Sequence, residues 1–450
     1  MHRSKGPAHR EGNYQAATID RRSHIETSGE VFADGRGIEL IRDAETGRLK
    51  LLLSDSENCS VAPRVEYGGR VYVPASLDSG ILRAVTLPTK FTDYGSTDRL
   101  FAAVRDSFLN HGFPMEVAHP TSYFVFSTWF LEYLPTAPCL LITGPRPEAS
   151  LLIQLLGCLG RHALPLAEVN RVGLSSLPMD LGPTLLIDGE QLSPLTRRLL
   201  AASNNRHAYV PWKGTLVNVF CSKAIYCGGT LGDGLLSDIA LLINLGPTRN
   251  GLPILGVRTE QEIATALQPQ LLAYRSRNIT KVRESQFDLP AFASPIRILA
   301  RVLGACIVDA PELQAGLIPL LEEYQERIRG ERWTDLRCVV IEALMYHCQD
   351  GGKQRVYVGE IARTVGTILK GRGQTPPTDP TLVKLVGAKL SDLGFSRKRD
   401  SKGIAIRNTE TVRRQIHRFA RDHDVAAVQE GLTLMADATR NQDDSTAKEE

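Results

Sequence analysis

Beyond residue 28 the chain alternates short apolar runs with polar turns, and the spacing of those runs predicts most of the architecture. GIELIR (37–42) and RLKLLLS (48–54) flank the turn DAETG, and RVEYGGRVYVP sets Gly68-Gly69 between two alternating runs. Both read as hairpins, so residues 29–95 are expected to form a small β-rich unit. Residues 1–28 are polar and aperiodic and read as disordered. Two helices follow. DRLFAAVRDSFL has Ser96 or Thr97 as its N-cap, and the aromatic-rich TSYFVFSTWFLEYL places Phe124, Trp129 and Phe130 in a core rather than on a stacking surface.

Between residues 137 and 250 continuous apolar runs alternate with helical ones: APCLLITG, ASLLIQLLGCLG, PTLLIDGE, SPLTRRLLAAS, LVNVFCSKAIYC and IALLINLG. Runs of this kind, apolar on both faces, belong to a buried parallel sheet covered by helices. Residues 96–255 are thus an α/β core, and 256–350 read as an all-helical lid. In 351–424 the pattern changes again. A helix (VYVGEIARTVGTIL) and a Pro-rich loop lead to a second helix (TLVKLVGAKLSDLGF) that starts near Asp379 or Thr381. A charged hairpin with Asp400 to Gly403 at its turn and a last helix follow.

Composition narrows the class. Hydrophobic residues make up 42% and charged residues 23% of 450, the balance of a globular chain. No stretch approaches 18 uncharged apolar residues, which argues against a membrane span, and the N-terminus lacks the apolar centre of a signal peptide. Eight cysteines without a Cys-x-x-Cys or Cys/His spacing suggest reduced thiols in the cytoplasm, with neither zinc nor disulfides. The net charge of +3 is unevenly placed. Residues 351–424 hold 16 Lys and Arg against 7 Asp and Glu, whereas 425–450 form an acidic tail that reads as disordered. A polyanion would bind the former.

The chemistry concentrates at two strand ends. APCLLITGPRPEASLLIQLL has the layout of a phosphate-binding loop, whose Gly-x-x-x-x-Gly-Lys-Ser/Thr lets backbone N–H groups, Lys and hydroxyl hold phosphates and Mg²⁺. Gly144 stands at the first position, but Ala149, Ser150 and Leu151 stand where Gly, Lys and Ser/Thr are needed. Pro145 and Pro147 remove two donors, and Glu148 brings a carboxylate. About 40 residues on, TLLIDGE ends in Asp188 and Glu190, the acids that in a Walker B strand hold Mg²⁺ and orient water. His119, His162 and His207 are isolated, and no hydrolase arrangement of Ser, His and Asp occurs.

With those residues in place, 137–350 resembles a P-loop ATPase core of the AAA-like or helicase type, similar to ATPase domains of phage and plasmid primase–helicases. The resemblance implies a polar sensor where Cys227 and Gly228 stand, and an arginine finger where Asp238 stands. Loop, sensor and finger therefore depart together, as in a pseudo-ATPase, with Asp188 and Glu190 retained and Gly144 and Ser150 as degenerate nucleotide-site positions. Residues 351–424 resemble a winged helix-turn-helix, which implies double-stranded DNA contact through Lys384 and Lys389 on the second helix and Arg397, Lys398, Arg399 and Lys402 on the wing. Lys384 and Lys389 are five apart, about 140° around a helix, so at most one faces a groove centrally.

The expectation is a non-enzymatic DNA-binding protein, accessory to replication or regulation of a mobile element, with no cofactor, no metal and no membrane partner. Self-association or a partner ATPase fits the resemblance. Two other readings stay open: an ATPase with an atypical loop that uses ATP and Mg²⁺, and a protein-interaction scaffold without DNA binding.

Overall fold

A computed structural model describes residues 24–55, 59–189, 192–228, 236, 240–247, 252–292, 294–349, 354–422 and 425. Glu190, Asp238 and nearly all of the acidic tail lie outside them. The N-terminal unit begins earlier than expected, because His24–Thr27 (β1) pairs in parallel with a later strand. Strands β2 (Gly29–Val31), β3 (Gly37–Arg42), β4 (Leu49–Ser54) and β5 (Cys59–Ala62) form an antiparallel sheet. Strands β6 (Val65–Tyr67) and β7 (Arg70–Pro74) close a second sheet with β1, turning through Gly68 and Gly69, both at positive φ as a type I′ turn requires. Phe32, Ile38, Leu40, Leu51 and Tyr72 are among the residues of the core these sheets enclose.

Helix α1 (Ser79–Ala84) leads to α2 (Thr97–Leu109), which is capped by Ser96 through its hydroxyl to the Arg99 N–H. Thr97 instead donates to the Val308 carbonyl at 2.8 Å. The first half of the aromatic stretch ends α3 (Met115–Thr128), whereas Trp129 to Leu134, expected in the same helix, lie beyond it with a single 3-10 turn at Leu131–Tyr133; Tyr123, Phe124, Phe126, Trp129 and Phe130 are all buried. Then β8 (Cys139–Thr143), α4 (Arg146–Leu159), β9 (Ala163–Leu166), α5 (Arg171–Ser176), β10 (Thr184–Asp188) and α6 (Pro194–Ala202) build most of the α/β core. The run LVNVFCSKAIYC is not one strand. Thr215–Asn218 (β12) folds back on Tyr209–Trp212 (β11) through a turn at Lys213 and Gly214, both at positive φ, and only Ser222–Tyr226 (β13) enters the sheet. With β14 (Leu241–Asn244) the sheet has five parallel strands in the order β14-β8-β13-β10-β9. The α/β class expected from the apolar runs is what forms.

Helices α7 (Val257–Arg283), α8 (Ser294–Gly304) and α9 (Pro311–Thr334) share one continuous core with the sheet. The next helix, α10 (Leu336–Gln349), instead packs in a separate core with β15 (Arg355–Tyr357), α11 (Val358–Gly371), α12 (Asp379–Asp392), β16 (Arg397–Asp400), β17 (Gly403–Arg407) and α13 (Glu410–Asp422). The C-terminal unit thus begins at Leu336 rather than 351. Its strands form a three-stranded antiparallel sheet, β15-β17-β16.

A buried ionic network ties the N-terminal unit to the core. Glu39 on β3 accepts from Arg161, 3.0 Å away after α4, and from Arg275 on α7. Both arginines also reach Glu132, Arg161 at 2.6 Å and Arg275 at 3.1 Å. Desolvation by the surrounding chain raises the Glu132 carboxyl, although 40% of its side chain still meets solvent, but the two guanidiniums pull it down to about 2. Beside them His162, buried and bonded to the Leu181 carbonyl at 2.6 Å, stays neutral, because burial and the Arg161 charge push its imidazole down to about 3.

Candidate functional site

The carboxyl ends of β8, β13 and β10 lie side by side, with Asp188 in register with Tyr226. Chain connections leave β8 and β13 in opposite directions, toward β9 and β14, which makes this edge a topological switch point where open α/β sheets bind ligands. Gly144 closes β8 at φ +113°, and a Cβ there would lie 2.2 Å from the Leu245 carbonyl oxygen, so no larger residue fits. The Tyr226 hydroxyl donates to the Gly144 carbonyl at 3.2 Å.

Helix α4 starts at Arg146, three residues ahead of the expected Ala149. The link from β8 is only Gly144 and Pro145, where the sequence layout allots five residues to curl around phosphate. Pro147 in the first turn is the physical reason. Its fixed φ suits a helix start, and Glu148 is favourable near the helix N-terminus. Ser150 therefore sits on the second turn, where its hydroxyl donates to Asp188 Oδ2 at 3.2 Å. Arg146, one turn earlier on the same face, brings its guanidinium within 3.8 Å of Asp188 Oδ1. The strand-end acid thus faces a protein cation and a hydroxyl from a single helix. Cys227, where the resemblance implies a polar sensor, is a partly buried thiol that burial raises to about 11. Among the described residues no group of three or more His, Cys, Asp or Glu could hold a metal ion.

The second candidate lies in the C-terminal unit. A groove of about 1010 Å³ opens between α11, α12 and the β16–β17 hairpin. Lys384, Arg397 and Lys402 line it, joined by Arg363, which sequence reasoning did not single out. Glu360 and Asp379 line it too, leaving an excess of two positive charges among these groups. Glu360 is already engaged in capping α11, accepting the Tyr357 N–H at 3.0 Å. Asp400, the acid of the hairpin turn, accepts from the Lys402 N–H at 2.8 Å and from Arg355 at 2.7 Å. Those bonds hold its carboxyl below the usual range and fix the turn that presents Lys402. Lys398 and Arg399 are exposed on the hairpin outside the groove lining. Lys389 is also outside it and lies 3.9 Å from Asp392. Of the two helix lysines, Lys384 alone faces the groove.

No protein-family model and no curated protein matches the chain. Similar solved structures include the C-terminal region of NrS-1, 13% identical over 82% of this chain and 96% of that one with a TM-score of 0.32. A full-length MCM homolog from Methanopyrus kandleri is 13% identical over 64% of this chain and 76% of its own, with a TM-score of 0.35. Drosophila ORC bound to DNA is 12% identical over 67% of this chain and 85% of that one, with a TM-score of 0.18. At TM-scores below 0.5 these likenesses carry no functional weight; the geometry of the two sites does.

Proposed function

We propose that this protein binds double-stranded DNA through a C-terminal winged helix and that its α/β core is a P-loop-type scaffold that does not turn over ATP. The observation that carries the first half is the meeting of Arg363, Lys384, Arg397 and Lys402, from two helices and a hairpin, along one groove. The order helix, strand, helix, helix, strand, strand suits a winged helix whose α12 lies in the major groove while the hairpin rests on the backbone. Phosphate neutralisation supplies the sequence-independent affinity. On the resemblance to primase–helicase ATPase domains, the process served is replication or regulation of a mobile element's DNA.

The second half follows from charge and length at the sheet edge. Two residues between β8 and α4 leave little room for a phosphate cradle, and a divalent cation at Asp188 would meet the Arg146 guanidinium 3.8 Å away and compete with the Ser150 hydroxyl. Magnesium-dependent ATP turnover that vanishes in Asp188→Ala would overturn this half.

The first half is tested by fluorescence anisotropy on duplex DNA, with the full chain and a variant carrying Ala at Arg397, Lys398, Arg399 and Lys402. For about 4 to 6 neutralised phosphates, log K falls with log salt at a slope of about −4 to −5. The fourfold variant binds more weakly on every sequence and with a flatter slope. Equal affinity of both proteins at low salt would exclude the hairpin, and no binding by either would exclude DNA.

A further inference from the structure

A cavity of about 360 Å³ opens at the other end of the sheet. Tyr133 to Pro135 run along it just before β8 begins, and Arg206 follows Asn204, whose carbonyl receives the Ala137 N–H at 3.0 Å. It therefore sits at the amino-terminal edge, remote from Gly144 and Asp188.

Three guanidiniums line this cavity from three separate elements: Arg206 before β11, Arg283 in the last turn of α7, and Arg301 in the last turn of α8. Each is held differently. Arg206 donates to the Leu134 carbonyl at 2.7 Å and lies over the Phe220 ring. Arg301 gives its Nε to Asp288 at 3.0 Å, a carboxylate it shares with Arg297. Arg283 stands 3.7 Å from Glu284, beyond hydrogen-bond reach, and its charge also complements the C-terminal dipole of α7. Glu284 thus offsets part of the charge of Arg283, and Asp288 that of Arg297 and Arg301. Neither lines the cavity, nor does any other carboxylate among the described residues. Ser285 and Gln286 add polar side chains to the wall. The wall segment is fixed from below, since the Phe287 ring packs so closely on α8 that a Cβ on Gly304 would lie 2.1 Å from it.

We infer that this cavity is a phosphate-binding site, in which Arg206, Arg283 and Arg301 grip one phosphate group of a polyanion. Guanidinium forks match phosphate oxygens in pairs, and three of them around one concave space suit a dianionic or bridging phosphate better than a carboxylate. The phosphate comes either from a free polyphosphate or from a nucleic-acid backbone, and the site is independent of the C-terminal groove.

The test uses the full chain carrying the fourfold hairpin substitution, so that failure of the proposed DNA contact cannot mask the result. Inorganic pyrophosphate and a single-stranded oligonucleotide are each titrated by calorimetry into this protein and into one that adds Arg283→Ala and Arg301→Ala. Both side chains are exposed, and an unchanged melting midpoint checks the fold. Affinity for pyrophosphate that falls at least about tenfold in the double substitution supports the site with a free phosphate source. An equal fall for the oligonucleotide, with pyrophosphate competing against it, supports a backbone phosphate. Absence of binding to both probes, or affinities the double substitution leaves unchanged, would overturn the inference.

Discussion

Replacing Glu39 with Gln removes one charge from the centre of the buried network while keeping its size. Glu39 is 2% exposed, and the arginines it holds, Arg161 and Arg275, are 2% and 1% exposed. After the change both guanidiniums depend on Glu132, whose side chain keeps 40% of its surface in solvent. Uncompensated buried charge of this kind costs about 3 to 5 kcal/mol. For a unit that spans residues 24–334 that lowers the melting midpoint by roughly 5 to 8 °C. Urea denaturation followed by tryptophan fluorescence reads it directly, because the carbonyl of buried Trp129 accepts from Arg275 and its indole donates to the Leu159 carbonyl at 3.0 Å. A pH series supplies an internal check. Burial raises the Glu39 carboxyl, but Arg161 and Arg275 more than offset that, so it titrates below its ordinary 4.5, as does Glu132. Carboxylates lowered in the folded state contribute stability above pH 4.5 and lose it as pH falls toward 2. The parent protein therefore loses stability steeply below 4.5, and Glu39→Gln flattens that fall. A loss under about 1 kcal/mol at neutral pH would refute the idea that this network docks the N-terminal unit.

Gly144→Ala forces a Cβ against the Leu245 carbonyl at φ +113° and should cost about 3 kcal/mol or more, measured by urea denaturation. His162→Asn keeps a residue type that tolerates the positive φ at this position but removes the titration. The neutral imidazole costs stability from pH 6.5 down to about 3, so the variant's stability is flatter across that window in a thermal-melt series. Lys384→Ala should weaken duplex binding by about 1 to 3 kcal/mol, while Lys389→Ala stays within about 0.5, as anisotropy would show; the reverse order would place α12 the other way round.

The hairpin at Gly68-Gly69 and the apolar strands ending at Thr143 and Asp188 were legible because local chemistry and tertiary environment agree there. Strand β9 was not. It has four residues, includes Pro165 and lies at the sheet edge, where a proline costs little and the apolar signal is short. The hairpin β11–β12 was hidden because its second strand runs almost directly into β13, and only Lys213-Gly214 marks the reversal. At the candidate site, the sequence placed Asp188 at its strand end but counted the loop by motif letters, whereas Pro147 and Glu148 were already helix-start signals. The ionic network was illegible for another reason. An alternating strand puts Glu39 on the solvent side, yet β3 is covered on both faces, and nothing local announces partners 122 and 236 residues away.

The two-residue link between β8 and α4 bears on how this chain could be turned into a nucleotide hydrolase. A Lys at position 150 would stand on the second turn of a helix, opposite Asp188, as a replacement salt bridge. A Thr at 151 would bury its hydroxyl, since Leu151 is 4% exposed in the core. Spelling the motif correctly would therefore yield a less stable protein and no phosphate cradle. What keeps this edge from forming a cradle is where the helix starts, not how many residues lie between Gly144 and position 150, so Pro147 and Glu148, which start it early, would have to change along with the motif letters.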